Sequence, residues 1–477
     1  MKTEHHQIGS TSPIRVMTKH IHIIISLCLF SCLQTSIAEK IKNVLLIVSD
    51  DLKASSLGCY GNKICETPNL DRLAANGMVF ERAYCQGTWC APSRLSFMHS
   101  RYQGSDGENM GSYFRSHGMH SARVGKIYHM RVPGDIIAGS DGQDVPSTWD
   151  EKFNTKGMEA HTPGNYACLN RNIFTDEPDN RESTGMAHRM FVSVNYNGDG
   201  SDQPDWKAAE KTVELLKKHK DKPFFIATGF VRPHYPSVAP SKYFDKYPFH
   251  KMPLPQVPAN ALDDIPRAGL AKMTSQNSGI AKWPNNQKRM WAAYYATVTY
   301  MDEQLGKILD ELERLKLSSS TAIVFLSDHG YHLGEHNFWQ KSNLHEEVTR
   351  VPVIISAPGL KPGRTQSFAE LIDIYPTLCS LLKVPIPKSV LGKSLLPTLR
   401  DPRISPRTNA LSLNRGSHSL RTDRWAYMKY KNGDEELYDM IKDPAQFSNL
   451  AKKEEYQSTK TRLLNQLKKR LKSASLP

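Results

Sequence analysis

Three short runs of continuous apolar character, Asn43 to Val48, Pro223 to Phe230 and Thr321 to Leu326, stop abruptly at polar residues. A run of this length without polar alternation suits a strand buried on both faces of a parallel sheet, since packing then meets the side chains on either side. The runs give way in turn to Ser49-Asp50-Asp51, Val231-Arg232-Pro233-His234 and Ser327-Asp328-His329. In open α/β sheets ligands bind outside the carboxyl ends of the strands. Three strand ends thus deliver polar groups to one edge, and the class expected is α/β.

Adjacent carboxylates straight after a buried strand are costly unless a cation or hydrogen bonds offset their repulsion. Capping of the next helix is the other role open to Asp50 and Asp51. Together with Asp328 and His329 they form a candidate cation site. Three carboxylates favour a hard divalent ion such as calcium or magnesium, whereas a histidine in the set also suits zinc or manganese. His234, set between Pro233 and Pro236, is either packed in a rigid turn or part of the same site.

The remaining order is that of a large α/β domain with an appendage. Apolar spacing predicts helices over Asp205–His219, with Trp206, Ala209, Val213 and Leu216 inward, and over Gln287–Lys316, with Val298, Met301, Leu305, Ile308, Leu309, Leu312 and Leu315 inward. Residues 130–200 show no sustained period and read as long loops and short elements over the active face, and 252–286 as a second irregular stretch. Prolines 385, 387, 397, 402 and 406 mark a boundary, giving 39–395 as the main domain and 396–477 as a small subdomain. Within it Ser419–Tyr427 and Glu436–Asp439 read as paired strands, and Glu454–Lys472 as a basic amphipathic packing helix.

Residues 1–38 read as an export signal. Arg15, Lys19 and His20 precede an apolar run from Ile21 to Leu33, and Ser36-Ile37-Ala38 offers small residues for cleavage after Ala38. Fewer than the roughly 20 apolar residues of a membrane span are present, so no stable membrane insertion is expected. Cys32 would support a lipoprotein anchor, although bulky Phe30 fits such a site poorly, and Met17 is an alternative start. Six cysteines come after the signal: Cys59, Cys65, Cys85, Cys90, Cys168 and Cys379.

The run Cys90-Ala91-Pro92-Ser93-Arg94 resembles the Cys-x-Pro-x-Arg signature of type I sulfatases. Leu57 to Gly61 with Thr67 to Ala74, Gly125-Lys126 to His129, and Asp373 to Leu378 are further stretches similar to that family, in the family's order. Asp50-Asp51, Gly125 to His129, Pro233-His234 and Asp328-His329 are most similar to the iduronate-2-sulfatase branch and to bacterial polysaccharide sulfatases. The resemblance spans Asn43 to Leu450. It implies an alkaline-phosphatase-like fold, a large mixed sheet sandwiched by helices with a small C-terminal α+β subdomain.

It also implies a chemistry. Cys90 would be oxidised by a formylglycine-generating maturation enzyme to 3-oxoalanine, whose hydrate is the nucleophile and a ligand of one calcium ion held by Asp50, Asp51, Asp328 and His329. Arg94 and Lys126 would orient that hydrate. Lys341 and His234 would hold the sulfate, either one protonating the leaving oxygen, and His129 would take a proton from the second hydroxyl. Conversion of Cys90 leaves five thiols, an odd number that forbids complete intramolecular pairing.

Charge fits the same reading. Lys2, Arg15 and Lys19 against Glu4 leave with the signal, so about +12 of the formal +14 stays on the mature chain and favours anionic partners. Positive residues are scattered with no aromatic-interleaved basic run, which excludes nucleic acid and leaves a sulfated oligo- or polysaccharide for an exported protein. Two readings compete: a phosphonate or phosphate monoester hydrolase of the same superfamily, and an inactive glycan-binding protein. The second expects a lost catalytic position, and none is lost.

Overall fold

In a computed structural model of the chain, residues 41–182 and 186–476 are described, together with Met1, Thr3, Glu4 and Gly9. The signal-peptide reading, including Cys32 and the site after Ala38, lies outside the described residues. The described residues from 41 on form one unit.

The organising elements, in chain order, are β1 (Asn43–Asp50), α1 (Cys90–His99), β2 (His120–Gly125), α2 (Pro204–His219), β3 (Phe224–Pro233), α3 (Pro284–Arg314) and β4 (Thr321–Ser327). β1 lies at the centre of a nine-stranded mixed sheet, in parallel register with β4 on one side and β3 on the other, and β2 pairs in parallel beyond β3. Glu151–Phe153 closes that edge. On the far side Val353–Ser356, Met78–Tyr84 and Arg350–Val351 add antiparallel pairs, and Gly363–Glu370 runs parallel to Met78–Tyr84.

Alternate residues of β1 feed two cores. Leu45 and Ile47 pack with Leu215 and Leu216 of α2 and with Val298, Met301, Leu305 and Ile308 of α3. Val44, Leu46 and Val48 pack on the other face with Phe97 and Met98 of α1, Phe114, Tyr375 and Leu378. This is the sandwich expected, and each fully buried Leu or Ile contributes about 1.5–3 kcal/mol. A separate cluster joins the four-stranded meander Asn409–Asp439 to Leu463 and Leu467 of the terminal helix Gln457–Ser473.

Two expectations shift and a third gains detail. α2 buries Ala208, Ala209, Thr212, Leu215 and Leu216, so its inward face is rotated away from Trp206 and Val213; Trp206 instead lies beneath the Lys307 ammonium. α3 ends at Arg314, leaving Leu315 at its cap and only partly buried. The short elements of 130–200 build a sheet: Ile173–Thr175, Asn165–Cys168, Val192–Tyr196 and Ser237–Pro240 lie side by side in that order in a second four-stranded sheet, whose strands of three to five residues are too short to show a period.

No helix among the described residues is long and apolar enough to cross a membrane. All six cysteines from Cys59 on are free thiols, so Cys59 and Cys65 are not joined.

Candidate active site

The carboxyl ends of β1, β3 and β4 converge, as the strand registers require. Asp50 is the last residue of β1, where the pairing with β3 shifts register before Pro233. The next residue, Asp51, has φ of 65°, a left-handed conformation that turns the second carboxylate back towards the first. Asp328 comes directly after β4, and its Oδ1 accepts hydrogen bonds from the backbone N–H of Asp51 (3.2 Å) and of His329 (2.9 Å). His234 comes directly after β3, in a loop held by Arg232, whose Nη1 donates to His234 O at 3.2 Å and whose Nη2 pairs with buried Glu159 at 2.9 Å.

Cys90 opens α1, where unpaired backbone N–H groups favour negative charge. Its Sγ lies 3.3 Å from Asp50 Oδ1, 3.4 Å from His329 Nε2, 3.3 Å from Lys341 Nζ and 4.0 Å from Lys126 Nζ. Arg94, one turn along, donates from Nε to Asp328 Oδ2 at 2.9 Å and from Nη1 to the carbonyls of Lys126 and Ile127. Lys126 pairs with Asp50 and Lys341 with Asp51. Asp50, Asp51, Arg94, Lys126, Asp328 and His329 have no exposed surface. His129 faces the same cavity from the loop after β2. All ten residues singled out in the sequence therefore gather at one end of the sheet.

Burial and charge set the protonation states. Burial pushes Asp50 up, but Lys126, His234, Arg94 and Lys341 hold it well below the ordinary carboxylate range. Burial dominates at Asp51, which is pushed up to about 7 despite Lys341 and His329. Burial and the Lys341 charge push His234 well below its usual value, and burial with Lys126 lowers His129 to about 4. His329 is raised to about 9, because Asp328 and Cys90 outweigh its burial. The Cys90 thiol, raised by burial and Asp50, is brought down overall by Lys126 and Lys341. Carbonyl partners fix two ring orientations: His329 Nδ1 donates to Gly330 O at 3.0 Å and His234 Nδ1 to Tyr235 O at 2.6 Å, so both Nε2 atoms face the cluster.

The donor set fits a divalent cation. Asp50, Cys90, Asp328 and His329 offer ligand atoms within 4.8 Å of one another, as do Asp50, Asp51, Cys90 and His234. Asp51 Oδ2 is buried without a hydrogen-bond partner, which suits an ion as the missing contact. Three ionisable carboxylates make the set rich in hard oxygen.

Above Cys90 opens a cavity of about 780 Å³, lined also by Trp89, Arg131, Arg189, Lys272 and Arg415. These rim residues come from separate loops and from a hairpin of the C-terminal sheet, and no spacing in the sequence links them. Glu335 and His336 stand outside it. Glu335 is tied to Lys53 and accepts from the N–H of Leu333, which makes it a paired structural acid. His336 is buried against Phe338, His345 and Phe447.

Comparison with known proteins agrees with this architecture. The sulfatase family profile matches residues 42–384, and that of the N-sulphoglucosamine sulphohydrolase C-terminal region matches 334–473. A sulfatase of Formosa agariphila is 29% identical, covering 93% of this chain and 90% of its own length. The iduronate 2-sulfatase of Mus musculus is 30% identical, covering 76% and 72%. Among solved structures, one in complex with its substrate D-glucosamine-2-N,6-O-disulfate superposes with a TM-score of 0.69 at 21% identity, covering 91% of this chain and 98% of that one. A phosphonate monoester hydrolase from Silicibacter pomeroyi superposes at 0.73 and 22%, covering 90% and 95%. At these identities the structures establish a shared fold, while the profile and the sequence relatives establish the family: the chain belongs to the sulfatases and is a sulfuric ester hydrolase.

Proposed function

We propose that this sulfatase is an exported, iduronate-2-sulfatase-like enzyme that removes sulfate esters from a sulfated glycan, with a nucleophile formed from Cys90. The observation that carries the proposal is the setting of Cys90, at a helix N-terminus with Asp50, His329 and Lys341 all within 3.4 Å of its sulfur. Cys90 is 3% exposed and Arg94 fully buried, so a maturation enzyme reading this pentapeptide meets it before folding is complete.

Asp50, Asp51, Asp328 and His329 would hold a calcium ion with residue 90 beside it. Formylglycine at 90 supplies a hydrated aldehyde as nucleophile, and the ion supplies positive charge for the sulfuryl oxygens. Arg94 and Lys126 fix the orientation of residue 90, Arg94 through its fork between Asp328 and two carbonyls and Lys126 through Asp50. Lys341 and His234 reach the cavity from two sides and hold the sulfate. In its neutral form His234 spends its proton on Tyr235 O, so Lys341 Nζ is the group that carries a proton to the leaving sugar oxygen. His129, neutral above about pH 4, accepts a proton from residue 90 when sulfate is released.

The basic residues Arg131, Arg189, Lys272 and Arg415 among the described lining, Arg131 being also paired with Asp135 at 2.9 Å, support a polyanionic substrate. The test is turnover of sulfated oligosaccharides, uronic-acid-2-sulfates included, beside matched sulfate, phosphate and phosphonate esters. Desulfation is expected to dominate; faster phosphate or phosphonate turnover with no desulfation would reject the reading.

A further inference from the structure

We propose that His120, Glu151 and His219 form a second metal site, for a zinc-class divalent ion, at the end of the main sheet opposite the catalytic cluster. His120 opens β2, whereas Lys126 lies just past that strand's far end, six residues or about 20 Å away. Glu151 opens the neighbouring edge strand and His219 ends α2, so three elements meet at this point.

Geometry singles out a common focus. His120 Nε2 and His219 Nε2 lie 2.9 and 2.8 Å from the same atom, Glu151 Oε1. The two imidazoles are stacked, with centroids 3.8 Å apart and planes 17° from parallel. All three ligand atoms fall within 4.8 Å of one another. An ion with tetrahedral bonds of about 2.0–2.1 Å needs its ligand atoms about half an ångström further apart than this, and the two near-parallel rings must turn out of their stack so that each plane meets the ion. His120 Nε2 is also sealed from solvent and makes no aligned hydrogen bond despite its short approach to Glu151. The other carboxylate oxygen is taken by Lys218 Nζ at 2.8 Å, which leaves Oε1 for the shared point.

Protonation favours the ligand forms. Burial and the facing His219 ring lower His120, outweighing Asp150 and Glu151, so it is a neutral imidazole at neutral pH. Burial raises Glu151, but hydrogen bonds from Lys218 and His219 bring it below its ordinary value and keep it ionised. On the opposite side of the His120 ring, Asp150 Oδ2 stands 3.8 Å from Nδ1 and is anchored by Ser121 N–H at 2.9 Å, while Arg115 Nε holds its Oδ1 at 2.7 Å. At that distance Asp150 is an ion-pair neighbour of the second ring nitrogen and becomes the hydrogen-bonded partner of a metal-binding histidine only if the ring moves towards it. Two imidazole nitrogens and one oxygen select zinc, cobalt or nickel over calcium, whose ligands are all oxygen. Donor chemistry would thus sort different ions to the two ends of the sheet.

The test uses the mature full-length chain, stripped with chelator and equilibrated with zinc, then with cobalt as a spectroscopic probe. Wild type is expected to retain one zinc that His120→Gln or His219→Gln loses, with affinity falling about 100-fold, while Asp328→Asn in the catalytic cluster retains it. X-ray absorption of zinc-loaded wild type should show imidazole and oxygen scattering without sulfur, a readout that needs no variant to fold. Equal zinc content in wild type and His219→Gln, loss that tracks Asp328→Asn instead, or a sulfur ligand indicating Cys90 would each overturn the proposal.

Discussion

Arg94 Nε lies 2.9 Å from Asp328 Oδ2, joining the last residue of the Cys90–Arg94 pentapeptide to the end of β4 with both side chains fully buried. The same guanidinium reaches Asp50 Oδ1 at 3.3 Å and the carbonyls of Lys126 and Ile127. One side chain therefore couples the nucleophile's helix to three strand ends. Removing it leaves buried carboxylates without their cation, so Arg94→Met should cost about 3–5 kcal/mol, read as a lower urea midpoint. Arg94→Lys keeps the charge but cannot span these acceptors, and should fall between wild type and Arg94→Met.

His129 gives a pH prediction. Burial and Lys126 lower it to about 4, so its basic form is available throughout the usual acidic range. The acid limb of kcat/KM attributable to it should lie near pH 4, not near the ordinary imidazole value of about 6.5. His129→Gln should lower kcat by about 10²–10⁴-fold and erase that limb. Linkage has a definite sign: the unfolded chain binds more protons than the folded one between these two values, so this group's contribution to stability rises with pH through that window and is lost on acidification.

The proton donor can be separated from the sulfate clamp by leaving group. Lys341→Met should lower both classes through the lost sulfate contact and slow alkyl sulfates, whose alkoxide needs a proton, by a further factor of about 10²–10⁴. His234→Gln should lower both classes alike, as expected for a residue that binds sulfate. Equal sensitivity of the two classes in Lys341→Met would remove the acid role from that lysine.

Metal removal should be reversible and ion-selective. A chelator is expected to abolish desulfation and calcium to restore it, with Asp328→Asn weakening calcium binding in titration calorimetry because it removes a charged oxygen ligand. Restoration by zinc but not calcium would show that His329 outweighs the carboxylates in choosing the ion.

Much of the fold is readable in the chain because buried parallel strands leave an unmistakable imprint. Continuous apolar runs ending at Asp50, His234 and Asp328 locate both the sheet and the edge where chemistry collects. The cation-balancing partners are legible only as residue types: nothing local in sequence tells that Lys126 pairs with Asp50 and Lys341 with Asp51, since these contacts close over long separations. The second sheet escapes notice because strands such as Ile173–Thr175 are shorter than any period they could display. The cavity rim is hidden for another reason. Arg415 reaches it from a hairpin of the C-terminal sheet, its guanidinium 5.2 Å from the Trp89 ring, and only tertiary folding joins the two. The same holds for His120 and His219, whose stacking depends on how α2 lies against the sheet edge.

The most direct test of the central claim is mass spectrometry of the tryptic peptide 83–94 from an active preparation, after thiol alkylation. That peptide carries Cys85 and Cys90 together, so Cys85 is an internal control for alkylation. The account predicts one alkylated cysteine, at 85, and at 90 an aldehyde that reacts with a hydrazine probe. Two alkylated thiols throughout a preparation that still removes sulfate would contradict it.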